Sequence, residues 1–378
     1  MTTLTTRAAT APVTSVPLLD LRREYTAHRQ EFLAACERVL DSMHLLGGPE
    51  ARAFEGEWAA FLGVQHARGV ASGTDALRLA LRAAGVGAGD EVLLQANSFV
   101  AAVEAIADVG AHPVPIDVQE RDLGPDVDQM AARVTERTRA ILVVHLYGHP
   151  VDLPPIVALA AARNLRLIED CSHAHGATFD GRAVGSFGIA SAFSLGVVKN
   201  LAAYGDAGVV CTDDDEVARR VKLLGTHGQV KKNEHAFYGG NSRLDELHAA
   251  MLRVKLQHLP ARNERRAQIA AYYDERLTPY VRTPPRDPRR GSVYHQYVVR
   301  TPAREELRAF LTAEGIETGM HYPTPIHRQP AWRDRFADSP ALPHAERSAR
   351  EIVSLPVFPE LTDGEVERVA ETVAKFFA

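Results

Sequence analysis

Through the first two-thirds of the chain, short apolar runs alternate with stretches of helical periodicity, and this alternation constrains the fold more than any other feature. Glu91-Val92-Leu93-Leu94 follows the turn Gly87-Ala88-Gly89-Asp90. Pro113–Asp117, Ala140–Val144, Leu165–Ile168, Ala190–Phe193 and Val209–Cys211 continue the series. Most of these runs are continuously apolar, the pattern of strands buried on both faces. Helical stretches lie between them, such as Ala76–Ala84, stopped by Gly85, and Ala101–Val109, stopped by Gly110. Alternating strands and helices predict an α/β fold built on a doubly wound, mostly parallel sheet.

After Leu259 the character changes. A helical pattern over Arg262–Leu277 leads into a proline- and arginine-rich stretch, Thr283–Arg290, expected as an exposed loop. A strand at Tyr294–Arg300, a helix at Arg304–Glu314 and a last helix at Asp363–Phe376 predict a smaller α+β domain. With 378 residues the chain exceeds one small core. The expected division is a loose tail over 1–16, a large domain over 17–258 and a small domain over 259–378. The tail lacks a basic start followed by an apolar run, so it is a poor signal peptide. No apolar stretch is long enough to span a bilayer, and a net charge of -5 argues weakly against nucleic acid as the partner. Cys36, Cys171 and Cys211 are too scattered for a disulfide framework or a metal site, and a cytoplasmic location is expected.

Four segments carry candidate chemistry, and each has a plainer reading. Ser72-Gly73-Thr74-Asp75-Ala76-Leu77 opens a helix whose free N–H groups, with the Thr74 hydroxyl, make an anion site; the plainer reading is an ordinary N-cap. In Leu167-Ile168-Glu169-Asp170 a buried strand ends in two acids, where open α/β sheets bind ligands. Asp170 could pair with a protonated pyridine nitrogen. Equally, one acid could cap a helix while the other is solvated. Lys199 lies between the strand ending at Ser194 and the turn Tyr204–Gly208, where desolvation would make it nucleophilic; most loop lysines are simply solvated. Gly239–Asp245 leads into the helix carrying Leu247, Ala250 and Met251, and by itself looks like a cap.

Taken together and in order, these segments resemble the nucleotide-sugar aminotransferases of the DegT/DnrJ/StrS type, which share the pyridoxal-phosphate (PLP) fold of aspartate aminotransferase. The resemblance runs from Pro17-Leu18-Leu19-Asp20-Leu21 to Leu355-Pro356-Val357-Phe358-Pro359. It includes Glu169-Asp170 with Ala174-His175-Gly176, Phe193-Ser194 before Lys199-Asn200, Asn241–Leu247 and His321-Tyr322-Pro323. It implies a large domain with a mostly parallel seven-stranded sheet and a smaller α+β C-terminal domain. The cofactor would be pyridoxal 5'-phosphate, held covalently by Lys199, with Asp170 on its ring nitrogen, Phe99 stacked on its ring and His173 near its O3′. Gly73, Thr74, the Asp75 amide and Ser194 would hold the phosphate, joined by Asn241 of a second copy, which makes an obligate homodimer with shared sites.

The resemblance further implies transfer of an amino group from L-glutamate to a keto group of a nucleotide-linked sugar. Asn241–Asp245, Val254-Lys255-Leu256 and Arg262–Arg266 look like the branch that aminates C3 of dTDP-3-keto-6-deoxyhexoses. There Lys232 would reach the neighbouring site, and His321 and Tyr322 would touch the sugar; otherwise Lys231 and Lys232 are a solvated pair, and His321 and Tyr322 simply pack. The chain departs from the pattern at Leu195-Gly196-Val197-Val198, where relatives carry an aromatic residue and a proline, and at Gly205-Asp206-Ala207-Gly208, where they often carry two adjacent glycines. Cys171-Ser172 replaces two alanines. Rival readings are the same chemistry on a 4-keto sugar or keto-cyclitol, a PLP-dependent sugar dehydratase, and a non-catalytic sensor. Lys199 and dispersed cysteines argue against a dehydratase; retention of Lys199 and Asp170 argues against a sensor.

Overall fold

The computed structural model describes residues 15–337 and 339–378. Seven strands form one sheet: β1 (His66–Val70), β2 (Glu91–Gln95), β3 (His112–Ile116), β4 (Thr138–Val144), β5 (Arg166–Asp170), β6 (Ala190–Ser194) and β7 (Gly208–Thr212). Their spatial order is β1-β7-β6-β5-β4-β2-β3. All neighbouring pairs are parallel except those of β7, which runs antiparallel to both β1 and β6. The expected large sheet is thus present.

Side-chain alternation explains why the central strands are apolar throughout. Val92, Leu94, Ala140, Leu142 and Val144 enter one core cluster. Leu93, Ile141 and Val143, the residues between them, enter another on the opposite face. A period of two on a sheet covered on both sides leaves no solvent face. β1 was not among the expected runs. At an edge, His66-Ala67-Arg68-Gly69-Val70 needs few apolar residues, and its existence depends on pairing with β7.

Past the sheet, a 32-residue helix spans Glu246–Leu277. Leu252, Leu256 and Leu259 belong to the core of the large sheet, while Ile269, Tyr273 and Leu277 belong to a separate C-terminal core. Pro260 lies inside this helix and cannot donate to the carbonyl four residues back. Packing at both ends holds the helix continuous through it. The expected division after residue 258 therefore falls within one rigid element. A two-stranded antiparallel pair, Tyr297–Arg300 with Ile352–Leu355, and helices Arg304–Ala313 and Asp363–Phe377 complete the C-terminal part.

Two other expectations are corrected. Residues 1–14 of the expected tail lie outside the described residues, but Val16 is fully buried in the C-terminal core and bridges to Ile316. The proline-rich stretch is not wholly a free loop. Arg290–Gly291 pairs with Thr178–Phe179, and Arg290 meets Asp122 at 2.7 Å with both side chains nearly buried.

Candidate active site

The candidate residues lie at the carboxyl ends of the parallel strands, where strand termini leave backbone groups free to meet a ligand. Asp170 ends β5, flanked by Val144 of β4 and Ala192 of β6. Glu169, one residue earlier, points to the other face. It is fully buried and accepts from the amides of Gly185, Phe187 and Gly188, each at 2.8 Å, and meets His145 Nε2 at 3.0 Å. It clamps a loop and is neither a helix cap nor a solvated acid. Asp170 faces the site: its Oδ1 accepts from the Ser172 amide at 3.0 Å. Burial raises its pKa, opposed by hydrogen bonds from Ser172 and by the nearby charge of Lys199. The Ser172 hydroxyl also accepts from the Ser194 amide at 3.2 Å, tying β5 to β6.

Lys199 follows β6 through a turn closed by its own N–H on the Gly196 carbonyl at 2.9 Å. Leu195, in the unusual segment, is fully buried and bonds Ala207, so the departure from the expected aromatic residue is absorbed by core packing. Burial pushes the Lys199 amine down to about 8, against the pull of the Asp170 carboxylate. His173 is buried and neutral, its pKa driven well down by burial and then by Lys199. Its Nδ1 accepts from the Tyr147 amide at 3.2 Å, which assigns the ring proton to Nε2. His321 is pushed down to about 4 by burial and by Lys199, and its Nδ1 meets Ser354 Oγ at 2.7 Å. Burial and the Asp170 charge raise the Tyr322 phenol. The Tyr322 ring lies 5.2 Å from Phe99, which stands 51% exposed at the mouth.

Gly73 opens the helix Gly73–Ala83, capped by Ser72, whose Oγ accepts from the Asp75 amide at 3.1 Å. The Asp75 amide is therefore already engaged, and its carboxylate binds Arg78 at 2.6 Å. Gly208 packs under the same turn, where a β-carbon would stand 2.3 Å from the Ser72 carbonyl oxygen. The result sets the first free N–H groups of the helix beside the Ser194 hydroxyl, a fit for a phosphate dianion.

Two expected residues are not brought to Lys199 within one chain. Asn241 is exposed, its Oδ1 accepting from Arg243 Nε at 3.1 Å, in a surface cavity of about 240 Å³ shared with Ala71 and Asp206. Lys232 is at the exposed turn of a hairpin pairing Gln229–Lys231 with Glu234–His235. Sequence reasoning missed Tyr147, His295 and Arg266. Tyr147 donates from its hydroxyl to the His321 carbonyl, and the His295 ring lies 4.4 Å from that of His173. Only His295, in Tyr294-His295-Gln296, carried a legible hint: a polar group opening a buried strand.

The model of the DegT/DnrJ/EryC1/StrS aminotransferase family matches residues 26–374. The chain belongs to this family. A dTDP-3-amino-3,4,6-trideoxy-alpha-D-glucose transaminase of Streptomyces venezuelae is 43% identical over 363 residues, covering 96% of both chains. A UDP-N-acetyl-3-dehydro-alpha-D-glucosamine 3-aminotransferase of Acidithiobacillus ferrooxidans is 41% identical over 363 residues, covering 96% of this chain and 98% of its own. The crystal structure of DesV from S. venezuelae in complex with a ketimine intermediate superposes with a TM-score of 0.93 at 43% identity, covering 96% of this chain and 99% of that one.

As a member of the DegT/DnrJ/EryC1/StrS family, the protein is a pyridoxal-phosphate-dependent aminotransferase with the fold of that enzyme class. Its residues fit the cofactor. Asp170 offers a buried carboxylate that a pyridinium N–H would satisfy, and Lys199 a desolvated amine next to it. The exposed Phe99 face and the Gly73 turn with Ser194 would take the ring and the phosphate.

Proposed function

We propose that the enzyme moves an amino group from L-glutamate to the C3 keto group of a dTDP-linked keto-6-deoxyhexose, giving an aminosugar for a glycoside, antibiotic or surface polysaccharide. The observation that carries the reading is that Asp170 and Lys199 are both buried and near enough for each charge to shift the other, one able to hold a pyridinium and the other able to act as a free base. When bound, the cofactor supplies an electron sink for the carbon that bears the amine.

The rest is the work of this chain. Lys199 holds the cofactor, takes a proton from the donor carbon and later delivers one to the sugar carbon; a pKa near 8 leaves a usable share of free base at neutral pH. Asp170 keeps the ring nitrogen protonated. His173, protonated on Nε2, donates towards O3′, and Phe99 stacks on the ring. Gly73, Thr74 and Ser194 hold the phosphate; the Asp75 amide, engaged by Ser72, acts through the helix dipole. His321 and Tyr322 meet the sugar.

Asn241 and Lys232 act on the neighbouring copy in a homodimer. Their exposure, away from Lys199 in their own chain, supports this, as do the exposed Leu33, Leu40, Met43, Leu45 and Leu46. Free thiols at Cys36, Cys171 and Cys211 fit a cytoplasmic enzyme, and no described helix is long and apolar enough to cross a membrane. The test is the absorption spectrum of the PLP-loaded protein before and after L-glutamate. Loss of the visible band to glutamate, then its return with a dTDP-linked 3-keto sugar, is expected. Return only with a UDP-linked 3-keto sugar or a 4-keto sugar moves the acceptor; no response to glutamate overturns the donor.

A further inference from the structure

Arg266 is a buried cation that no acid pairs with, although Glu360 and Glu24 are near enough for their charges to be felt. It is 4% exposed and makes no ion pair among the described residues. Its only hydrogen bonds run from one terminal nitrogen, Nη1, to the carbonyl oxygens of Tyr294 and Val357. The remaining N–H groups of the fork have no partner among the described residues. Burying a guanidinium without a counter-ion is unfavourable, and a ligand that supplies the missing charge relieves that cost. The nearby acids go elsewhere: Glu24 pairs with Lys255 and Arg262, and Glu360 with Arg262.

Arg266 also lines a cavity of about 190 Å³. Val198, the residue before Lys199, forms part of its wall, together with His295, Gln296, His321 and Leu355. Gln296 Oε1 is buried there without a partner, so the amide is not locked into the protein's own network. Burial lowers the basicity of His295 in this wall, and the nearby His173, Lys199 and Arg266 lower it further. The cavity thus sets an unpaired guanidinium in one space with Val198, the chain neighbour of Lys199, and with His321, and its other walls are neutral or apolar.

We propose that Arg266 binds a carboxylate of the amino donor, entering through this cavity. The proposal rests on the aminotransferase reading and names the part of the site that selects a dicarboxylic amino acid over a simple amine. A planar guanidinium whose Nε–H and Nη2–H groups are free matches a carboxylate in a two-pronged contact. Seating that anion removes the cost of the unpaired charge, so donor binding and the buried arginine support each other.

The test uses the PLP-loaded enzyme and glutarate, a dicarboxylate without an amine, which cannot react. Binding is read from the pH titration of the visible band, because an anion in the pocket raises the basicity of groups around it. Wild type is expected to bind glutarate. Arg266→Gln is expected to weaken both glutarate and L-glutamate binding by at least tenfold while the KM for the keto sugar stays within about twofold, with Arg266→Lys in between. If Arg266→Gln fails to fold, Gln296→Glu serves instead: it gives Arg266 an internal acid, leaves its contacts to Tyr294 and Val357 in place, and should displace glutarate equally. Unchanged glutarate binding in either folded variant, or none in wild type, overturns the proposal. Glutarate binding through Arg266 while L-glutamate fails to convert the band would overturn only the assignment of glutamate as donor.

Discussion

Gly73 and Ser194 touch so closely that a β-carbon on Gly73 would stand 2.4 Å from Ser194 Cβ and 2.8 Å from its Cα. This contact sets the N-terminus of one helix against the end of strand β6, forming the cradle proposed for the phosphate. The near atoms include backbone, so no rotation of a side chain relieves the clash. Gly73→Ala is therefore expected to cost about 1–3 kcal/mol and to shed cofactor. Thermal melting with and without PLP checks this; full retention of both stability and cofactor would show that the two elements can part freely.

Lys199 sets a pH dependence. With its amine pushed down to about 8, apoenzyme below that pH holds a protonated lysine that cannot capture PLP. The rate of cofactor uptake should rise with pH and level off above about 8. Asp170 is the group that raises this value, so Asp170→Asn should move the inflection lower. The same shift makes the unfolded chain bind the extra proton between the lowered and ordinary lysine values. Apoenzyme stability from this group therefore grows as pH rises through that window. Stopped-flow uptake from pH 6 to 10, flat across the range, would contradict the assignment.

Lys199→Ala should fold, keep some PLP through its other contacts, lose the visible band and leave L-glutamate unconverted. The band and a glutamate-dependent oxoacid assay report these separately. Conversion of glutamate by the alanine variant would mean another base does the work.

Ser172 is the serine where relatives carry alanine, and here it joins Asp170 to the Ser194 amide. Ser172→Ala removes the hydroxyl, leaves one amide short of a partner and lets burial raise the Asp170 pKa further. A loss of about 1 kcal/mol, or roughly a fivefold weaker PLP dissociation constant, is expected. Fluorescence titration of apoenzyme measures it, and an unchanged constant would show that the serine is only a filler.

Shared sites can be tested by mixing two inactive variants. Lys199→Ala and Asn241→Asp chains, unfolded and refolded together, should recover about a quarter of wild-type activity, since half the dimers are mixed and each carries one intact site. No recovery would place Asn241 in the site of its own chain, and activity in Asn241→Asp alone would place it in none.

The sequence alone determined the class of the fold and named Lys199 and Asp170 as the candidates on which the proposed site is built. Continuous apolar runs such as Ala140–Val144 are legible because burial on both faces writes itself into adjacent residues. Tertiary structure alone decided what depends on neighbours distant in sequence. Edge strand β1 exists because β7 pairs with it, and the long helix runs through Pro260 because two separate cores hold its halves. Glu169 and Asp170 are adjacent and chemically alike, yet strand alternation sends one to a structural clamp and the other to Lys199. Tyr147 and Arg266 carry no local signal strong enough to find them, and His295 only the hint of a polar group opening a buried strand, since their settings arise from burial and from partners across the fold. Periodicity is a short-range property of a chain, whereas desolvation and unpaired charge are set by what packs around a residue after folding.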